Sequence, residues 1–273
     1  MFNKKFRLCF SIIAVTALVL GNVSAAQAGE SLGSYSKRTV GSYSYNDRAA
    51  VNTDTVAGWA YTDIYTTGFV SVPAGYMGAA AQLFNASTGA LCQSSTTYYN
   101  TSATSTLSVG SGRYIGPSSF YSMGIARYYN GSSYNNYLTT ATSTVYLVSG
   151  LTATLSVPAP QLQENDEGLT LGSAYVAEAT GNMPDLVSVI TTDGQLGYAY
   201  AQDLQFDTPA NPEEAIALNA EAAKNPSIPV YAQDGTTIIG SFQFTTVVLS
   251  KKASTIRTEG AATNEAVSTE ITE

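Results

Sequence analysis

Short alternations of apolar and polar residues, broken by turn residues, run through the first half of the chain. "TVAGWAYTDIYT" (55–66) reads as one strand, and "GFVSV" (68–72) leads into a turn at Pro73-Ala74-Gly75. "GAAAQLF" and "ALCQSS" flank "NASTG" (85–89), the pattern of a hairpin. "STLSV", "FYSMGIARYY" and "SSYNNYLTTATSTVYLV" follow, with "NGS" (130–132) as a further turn. Runs of β-branched and aromatic residues at this spacing predict an all-β sandwich or barrel. No stretch here repeats its apolar residues with the helical period.

The pattern changes after "SVPAPQLQENDEG" (156–168). Asp193-Gly194 separates "LVSVITT" from "QLGYAYA", and Asp234-Gly235 separates "IPVYAQ" from "TTIIGSFQF". Asp-Gly between apolar runs predicts a hairpin, with both residues in the positive-φ conformation of a type I′ turn. Between the two hairpins, "ANPEEAIALNAEAAKNP" predicts a helix. Asn211 suits the N-cap and Pro212 the first turn, Glu214 occupies the capping-box position, and the helix should stop near Asn225-Pro226. The expected class is mainly β: an N-terminal all-β, sandwich-like domain followed by a small α+β domain of two hairpins and one helix.

Charge sharpens this division. Residues 30–163 hold five Lys/Arg against four Asp/Glu, a net +1, whereas residues 164–249 hold one Lys against twelve Asp/Glu, a net −11. Fifteen of the 19 tyrosines fall in the first stretch. A shift this sharp predicts separate folding units: a Tyr-rich domain over 29–155, a linker over 156–167 containing Pro158 and Pro160, and an acidic domain over 168–249. The polar end, 250–273, reads as a disordered tail.

The N-terminus carries a secretory pattern: basic Lys4, Lys5 and Arg7, an apolar run from Leu8 to Leu20, and Ala26-Gln27-Ala28 as the cleavage site. The run is shorter than the roughly 20 residues that span a bilayer. The expectation is a signal peptide over 1–28 and a secreted, extracellular protein with no membrane span after cleavage. Cys9 lies within that segment, so Cys92 is the one cysteine left and no internal disulfide can form; a small buried hydrophobe is its expected role.

Pro184-Asp185-Leu186, Asp193-Gly194, Gly197-Tyr198, Asp203-Leu204, "NPEEA" (211–215), "IPVY" (228–231) and "DGTTIIGSF" (234–242) together give residues 168–244 a resemblance to an extracytoplasmic accessory segment of Gram-positive bacterial proteins. Among these are C-terminal regions of sensor-type membrane metallopeptidases of the antibiotic-resistance antirepressor family. The resemblance implies an accessory or interaction module. It carries no peptidase activity, because the His-Glu-x-x-His zinc site of those enzymes has no counterpart in this chain. The Tyr-rich half resembles no characterised family.

The chain has no histidine. That excludes a Ser-His-Asp or Cys-His nucleophile system and removes the commonest zinc ligand. No phosphate-binding Gly-x-x-x-x-Gly-Lys-Ser/Thr loop and no dinucleotide fingerprint is present, so no cofactor is expected. Net negative charge excludes the basic footprint of a nucleic-acid partner. Glu164-Asp166-Glu167 offers oxygen ligands but lacks the spacing of a calcium loop, and no metal site is expected. A glycosidase needs two placed carboxylates; Asp47, Asp54 and Asp63 lie near aromatic residues, with Asp54 and Asp63 flanking Trp59. This is the weaker enzyme alternative, with Asp54 capping a turn and Asp63 facing solvent as its structural counterpart. "NAS" (85–87), "NTS" (100–102) and "NGS" (130–132) match glycosylation acceptors by pattern alone.

The tyrosines remain. They suit a pleated sheet, and outward rings would also stack on sugars or supply rigid contact area to a protein. In a strand, neighbouring residues point to opposite faces, so Tyr98-Tyr99 and Tyr128-Tyr129 should each present one ring outward unless both faces are covered. Trp59, Tyr61, Tyr99, Tyr128, Tyr134 and Tyr137 are the candidate ligand-binding residues. The expected function is a secreted, non-catalytic bacterial protein that binds a cell-surface glycan or an extracellular protein. A toxin- or bacteriocin-like β protein acting on cell envelopes is the alternative.

Overall fold

The computed structural model describes residues 29–116, 119–147, 152–153, 162–174, 182–205 and 208–249. Residues 1–28, the tail and residues 156–161 of the linker lie outside the described residues. The fold is mainly β, organised as two sheets. In the smaller sheet, β1 (Gly29–Leu32) and β2 (Ser36–Val40) both pair with β3 (Tyr43–Thr53), which pairs with β4 (Ala57–Thr66). β8 (Thr106–Ser111) follows β4, and β9 (Tyr114–Ile115) adds to the far end of β4. The larger sheet centres on β5 (Met77–Asn85) and β10 (Ser119–Tyr129), with β6 (Leu91–Ser94) and β7 (Tyr98–Tyr99) against β5. β11 (Tyr134–Leu138) and β12 (Thr144–Tyr146) pair with β10, and β13 (Thr152–Ala153) with β12.

The two sheets pack face to face. Small residues let them approach: Ala49, Ala60, Ala79, Ala81 and Ala126 are fully buried. Gly124 is required at its position, since a Cβ there would lie 1.9 Å from Thr62 Oγ1. That hydroxyl crosses between the sheets and donates to Ala80 O at 2.8 Å. Tyr45 and Tyr128, one from each sheet, stack with centroids 4.1 Å apart.

The C-terminal part contains β14 (Gln163–Glu164), β15 (Thr170–Gly172) and two hairpins. These are β16 (Leu186–Ile190) with β17 (Leu196–Tyr200), and β18 (Ser227–Tyr231) with β19 (Ile238–Gln243). A single helical turn, α1 (Ala201–Leu204), and the helix α2 (Pro212–Ala222) lie between the hairpins. Asn211 caps the helix as expected, Oδ1 accepting from Glu214 N at 2.9 Å, whereas Glu214 reaches one residue further back than a capping box, Oε2 accepting from Ala210 N at 2.8 Å. The hairpin turns differ from expectation. Gly194 and Gly235 take φ of +85° and +72°, but Asp193 and Asp234 stay at negative φ. Each loop is longer than two residues, closing from Thr191 to Gln195 and from Ala232 to Thr237. A longer loop builds an ordinary turn and needs only its glycine left-handed.

The compositional break at 156–167 is not a break in packing. β16 pairs with β6 through one parallel bridge, Val189 to Leu91, which joins the C-terminal hairpins to the larger sheet. β20 (Thr246–Val248) returns to the smaller sheet beside β8. Phe84, Leu91, Tyr121 and Met123 share one core with Val187, Val189, Ala199, Val230, Phe242 and Phe244. The helix α2 docks on β7, where the Asn219 side chain accepts from Tyr99 N and donates to Tyr99 O, both at 2.9 Å. That amide satisfies the open edge of β7 as a neighbouring strand would.

Candidate functional site

The larger sheet is covered on both faces, and this decides where the tyrosines go. Even-numbered residues of β10 (Phe120, Ala126, Tyr128) pack on the smaller sheet, whereas Tyr121, Met123 and Tyr129 face the C-terminal hairpins and α2. Tyr99, Tyr128 and Tyr134 are therefore buried, and Tyr61, on β4 of the smaller sheet, is buried as well. Tyr61 donates to the Glu30 carboxylate, Tyr128 to Asp47 Oδ2 at 2.9 Å and Tyr134 to Gly75 O at 2.5 Å; Tyr99 accepts from Arg127 Nη1 at 3.3 Å. Rings without an open face cannot stack on a ligand, so these four leave the candidate surface. Tyr137 is half-buried beneath the Arg38 guanidinium, 4.7 Å from its centroid, and Trp59 is half-buried with Arg113 at 5.4 Å.

The tyrosines that reach the surface gather at one end of the sandwich. Tyr43, Tyr76 and Tyr129 are half-buried and in line, with centroids 6.0 and 5.2 Å apart and each pair edge-to-face. Tyr129 continues inward onto Tyr134, and Tyr134 onto Tyr99. Hydrogen bonds tie the surrounding loops together: Tyr129 N donates to Tyr76 O, Gly75 N to Asn100 O, Val72 and Thr104 exchange a pair, and Thr66 N reaches Ser105 O. Asn100 is buried, accepting from Met77 N and donating to Pro73 O and Ser102 O, so its amide is committed to the loops and closed to a glycan. None of the segments 40–44, 67–76, 100–105 and 129–136 carries a charged residue. Of the Tyr128-Tyr129 doublet it is Tyr129, not the candidate Tyr128, that reaches the surface; Tyr43 and Tyr76 are not among the sequence candidates, and the charge-free, Ser/Gly/Asn-rich turns are the signal that marks them.

The three carboxylates of the glycosidase reading do not converge. Asp54 caps a turn, accepting from Val56 N and Ala57 N at 3.0 and 2.9 Å. Those bonds, with Arg113 beside it, hold its pKa below the usual range. Asp63 is not solvent-facing: it is buried, pairs with buried Arg48 at 3.2 Å and accepts from Ser108 Oγ at 2.6 Å. Along β4, Asp63 lies six residues beyond Ala57, and at ~3.3 Å per residue this is about 20 Å. Glycosidase pairs stand roughly 5 to 9.5 Å apart. Asp47 points to the opposite face of the smaller sheet, because it pairs with Ile64 where Arg48 pairs with Asp63. It is buried against Tyr128 and Arg38, and burial pushes its pKa up to about 6. Glu164, Asp166 and Glu167 are exposed, and no group of three or more His, Cys, Asp or Glu could hold a metal among the described residues.

A cleft of about 370 Å³ opens where β6 and β16 part beyond their single bridge. Cys92 and Gln93 of β6, Arg113, Tyr114 and Ile115 around β9, and Ile190 at the end of β16 with Thr191 and Thr192 after it line it, with Phe242 and Gln243 of β19. Burial raises the Cys92 thiol to about 12, far from a reactive thiolate. Comparisons of the chain with protein-family models, with curated proteins and with solved structures gave no match.

Proposed function

We propose that this is a secreted, non-catalytic binding protein that takes an uncharged, hydroxyl-rich surface ligand, a cell-surface glycan, at the tyrosine end of its sandwich. One observation carries the reading: three adjoining half-buried tyrosines stand among hydrogen-bonded loops that contain no charged side chain. Tyrosine supplies contact area at low entropic cost, and Ser, Gly and Asn loops supply adaptable hydrogen bonds. Because the loops are already tied together, little order remains to be imposed on binding. Secretion is supported by the N-terminal segment, and an extracytoplasmic role by the resemblance of residues 168–244. A hydrolytic role is disfavoured by the separation and burial of the carboxylates.

The test is binding of the full mature chain to a glycan panel, purified cell wall and whole cells, beside Tyr43→Ala and Tyr76→Ala variants with native fluorescence. Saturable binding weakened at least ~30-fold in Tyr76→Ala, the loss of a contact worth about 2 kcal/mol, is the expected result. Binding that both variants retain, or growth inhibition of the cells without saturable binding, overturns the reading.

A further inference from the structure

The cleft between β6 and β16 stands apart from the tyrosine end, and its chemistry is different. Its lining is rich in uncommitted donors. Arg113 is the one charged residue between Asp63 and Arg127 in the sequence, and its side chain is 58% exposed. It is held in place from two sides: Nη2 pairs with Asp54, which the turn at Val56 and Ala57 fixes, and the guanidinium lies over the Trp59 ring. Guanidinium carries five donors in a planar fork, and only Asp54 accepts from this one among the described residues. Gln93 uses its carbonyl to accept from Ser94 N at 3.2 Å, which leaves its NH₂ as donor. Thr191 Oγ1 accepts from Gln195 N at 3.0 Å and keeps its hydrogen to give. Tyr114 and Thr192 add two more hydroxyls, and among the described residues no carboxylate lines the cleft.

We infer that this cleft is a second binding site, for a sugar-sized hydroxylated carboxylate such as a hexuronic acid, free or at the end of a glycan. A lining of donors without a carboxylate calls for a ligand rich in acceptors. Arg113, already oriented, meets the ligand carboxylate with the donors that Asp54 does not use, and forms the short charge-assisted bonds that guanidinium makes with carboxylates. Gln93, Tyr114 and Thr192 meet the ring hydroxyls, and exposed Ile115 (73%) covers the apolar side of the ring. A volume of about 370 Å³ suits one or two sugar units. This site is independent of the tyrosine end, so either proposal can fail alone.

The experiment is an amide-resolved NMR titration of the full mature chain with glucuronic acid, glucose and a glucuronate-ended oligosaccharide, repeated on Arg113→Gln and on Tyr76→Ala. Shifts confined to residues 92–93, 113–115 and 190–192 with glucuronic acid are expected. Affinity should fall at least ~10-fold for glucose and for Arg113→Gln, and stay unchanged in Tyr76→Ala. Tighter binding of the oligosaccharide than of the free acid assigns the site to a glycan end, and equal binding assigns it to the free acid; either result supports it. Equal response to glucose and glucuronic acid, unchanged binding by Arg113→Gln, or no shift at ~10 mM ligand overturns the proposal.

Discussion

Asp47 offers the sharpest test of the interior. It is fully buried between the sheets, with one oxygen accepting from Tyr128 and lying 3.4 Å from Arg38 Nε, and the other without a hydrogen-bond partner. Desolvation outweighs these partners and raises its pKa from 3.8 to about 6. Between those values the native state keeps a proton that the unfolded chain releases, so this group's contribution to stability is full below pH 3.8 and is lost as pH rises through 6. At ~1.4 kcal/mol per pKa unit the loss is about 3 kcal/mol. Asp47→Asn keeps the acceptor for Tyr128 and removes the ionisation, while placing an NH₂ where the partnerless oxygen was, at a cost of about 1–3 kcal/mol. Urea unfolding of both proteins from pH 4 to 8, followed by Trp59 fluorescence, measures the difference, in which the other carboxylates cancel. Wild type should be the more stable at pH 4 and should lose about 3 kcal/mol relative to the variant by pH 8. A difference that stays flat within ~1 kcal/mol, or that moves in favour of wild type as pH rises, refutes the reasoning.

Two further expectations concern the join between the halves. A fragment of residues 29–160 leaves Phe84, Leu91, Tyr121 and Met123 without Val187, Val189, Phe242 and Phe244; it should bind a hydrophobic dye and lack cooperative unfolding. The full chain should unfold in one transition by fluorescence and circular dichroism alike. Asn219→Ala strands the buried N–H and C=O of Tyr99; the expected cost is about 2–4 kcal/mol at one to two per group, read as a lower urea midpoint with an unchanged slope.

Much of the secondary structure is legible locally. The strand at 55–66, the hairpin over 85–89, the turn at 130–132 and the Asn211 cap all depend on residues close in sequence, and all stand in the fold. The tyrosines were not legible in the same way. Alternation along a strand says that neighbours point apart, but not what lies on either side. Tyr128 and Tyr129 do point apart; one meets Tyr45 across the sandwich and the other meets Tyr76 and Tyr134 beside α2. The cover on the second face comes from β16, β17, β18, β19 and α2, all from Leu186 onward, and no local pattern reports it. The cleft is illegible for the same reason, since its walls come from four distant segments that only the fold brings together.

The charge contrast between the halves is real and misleads for a physical reason. Net charge is carried by exposed residues: Glu164, Asp166, Glu167, Asp185, Asp193, Glu213, Glu214, Glu221 and Asp234 are all exposed. Folding together is decided by buried apolar residues, and those of the acidic half, Leu186, Val187, Val189, Ala199, Val230 and Phe242, are all at or near zero exposure. Composition thus reports a solvated acidic face, while packing is carried by a separate set of side chains that join one core with those of the first half. A chain can therefore look divided in its surface and be continuous in its core. The walls of the cleft, and the support behind the tyrosine end, each draw on residues from both halves.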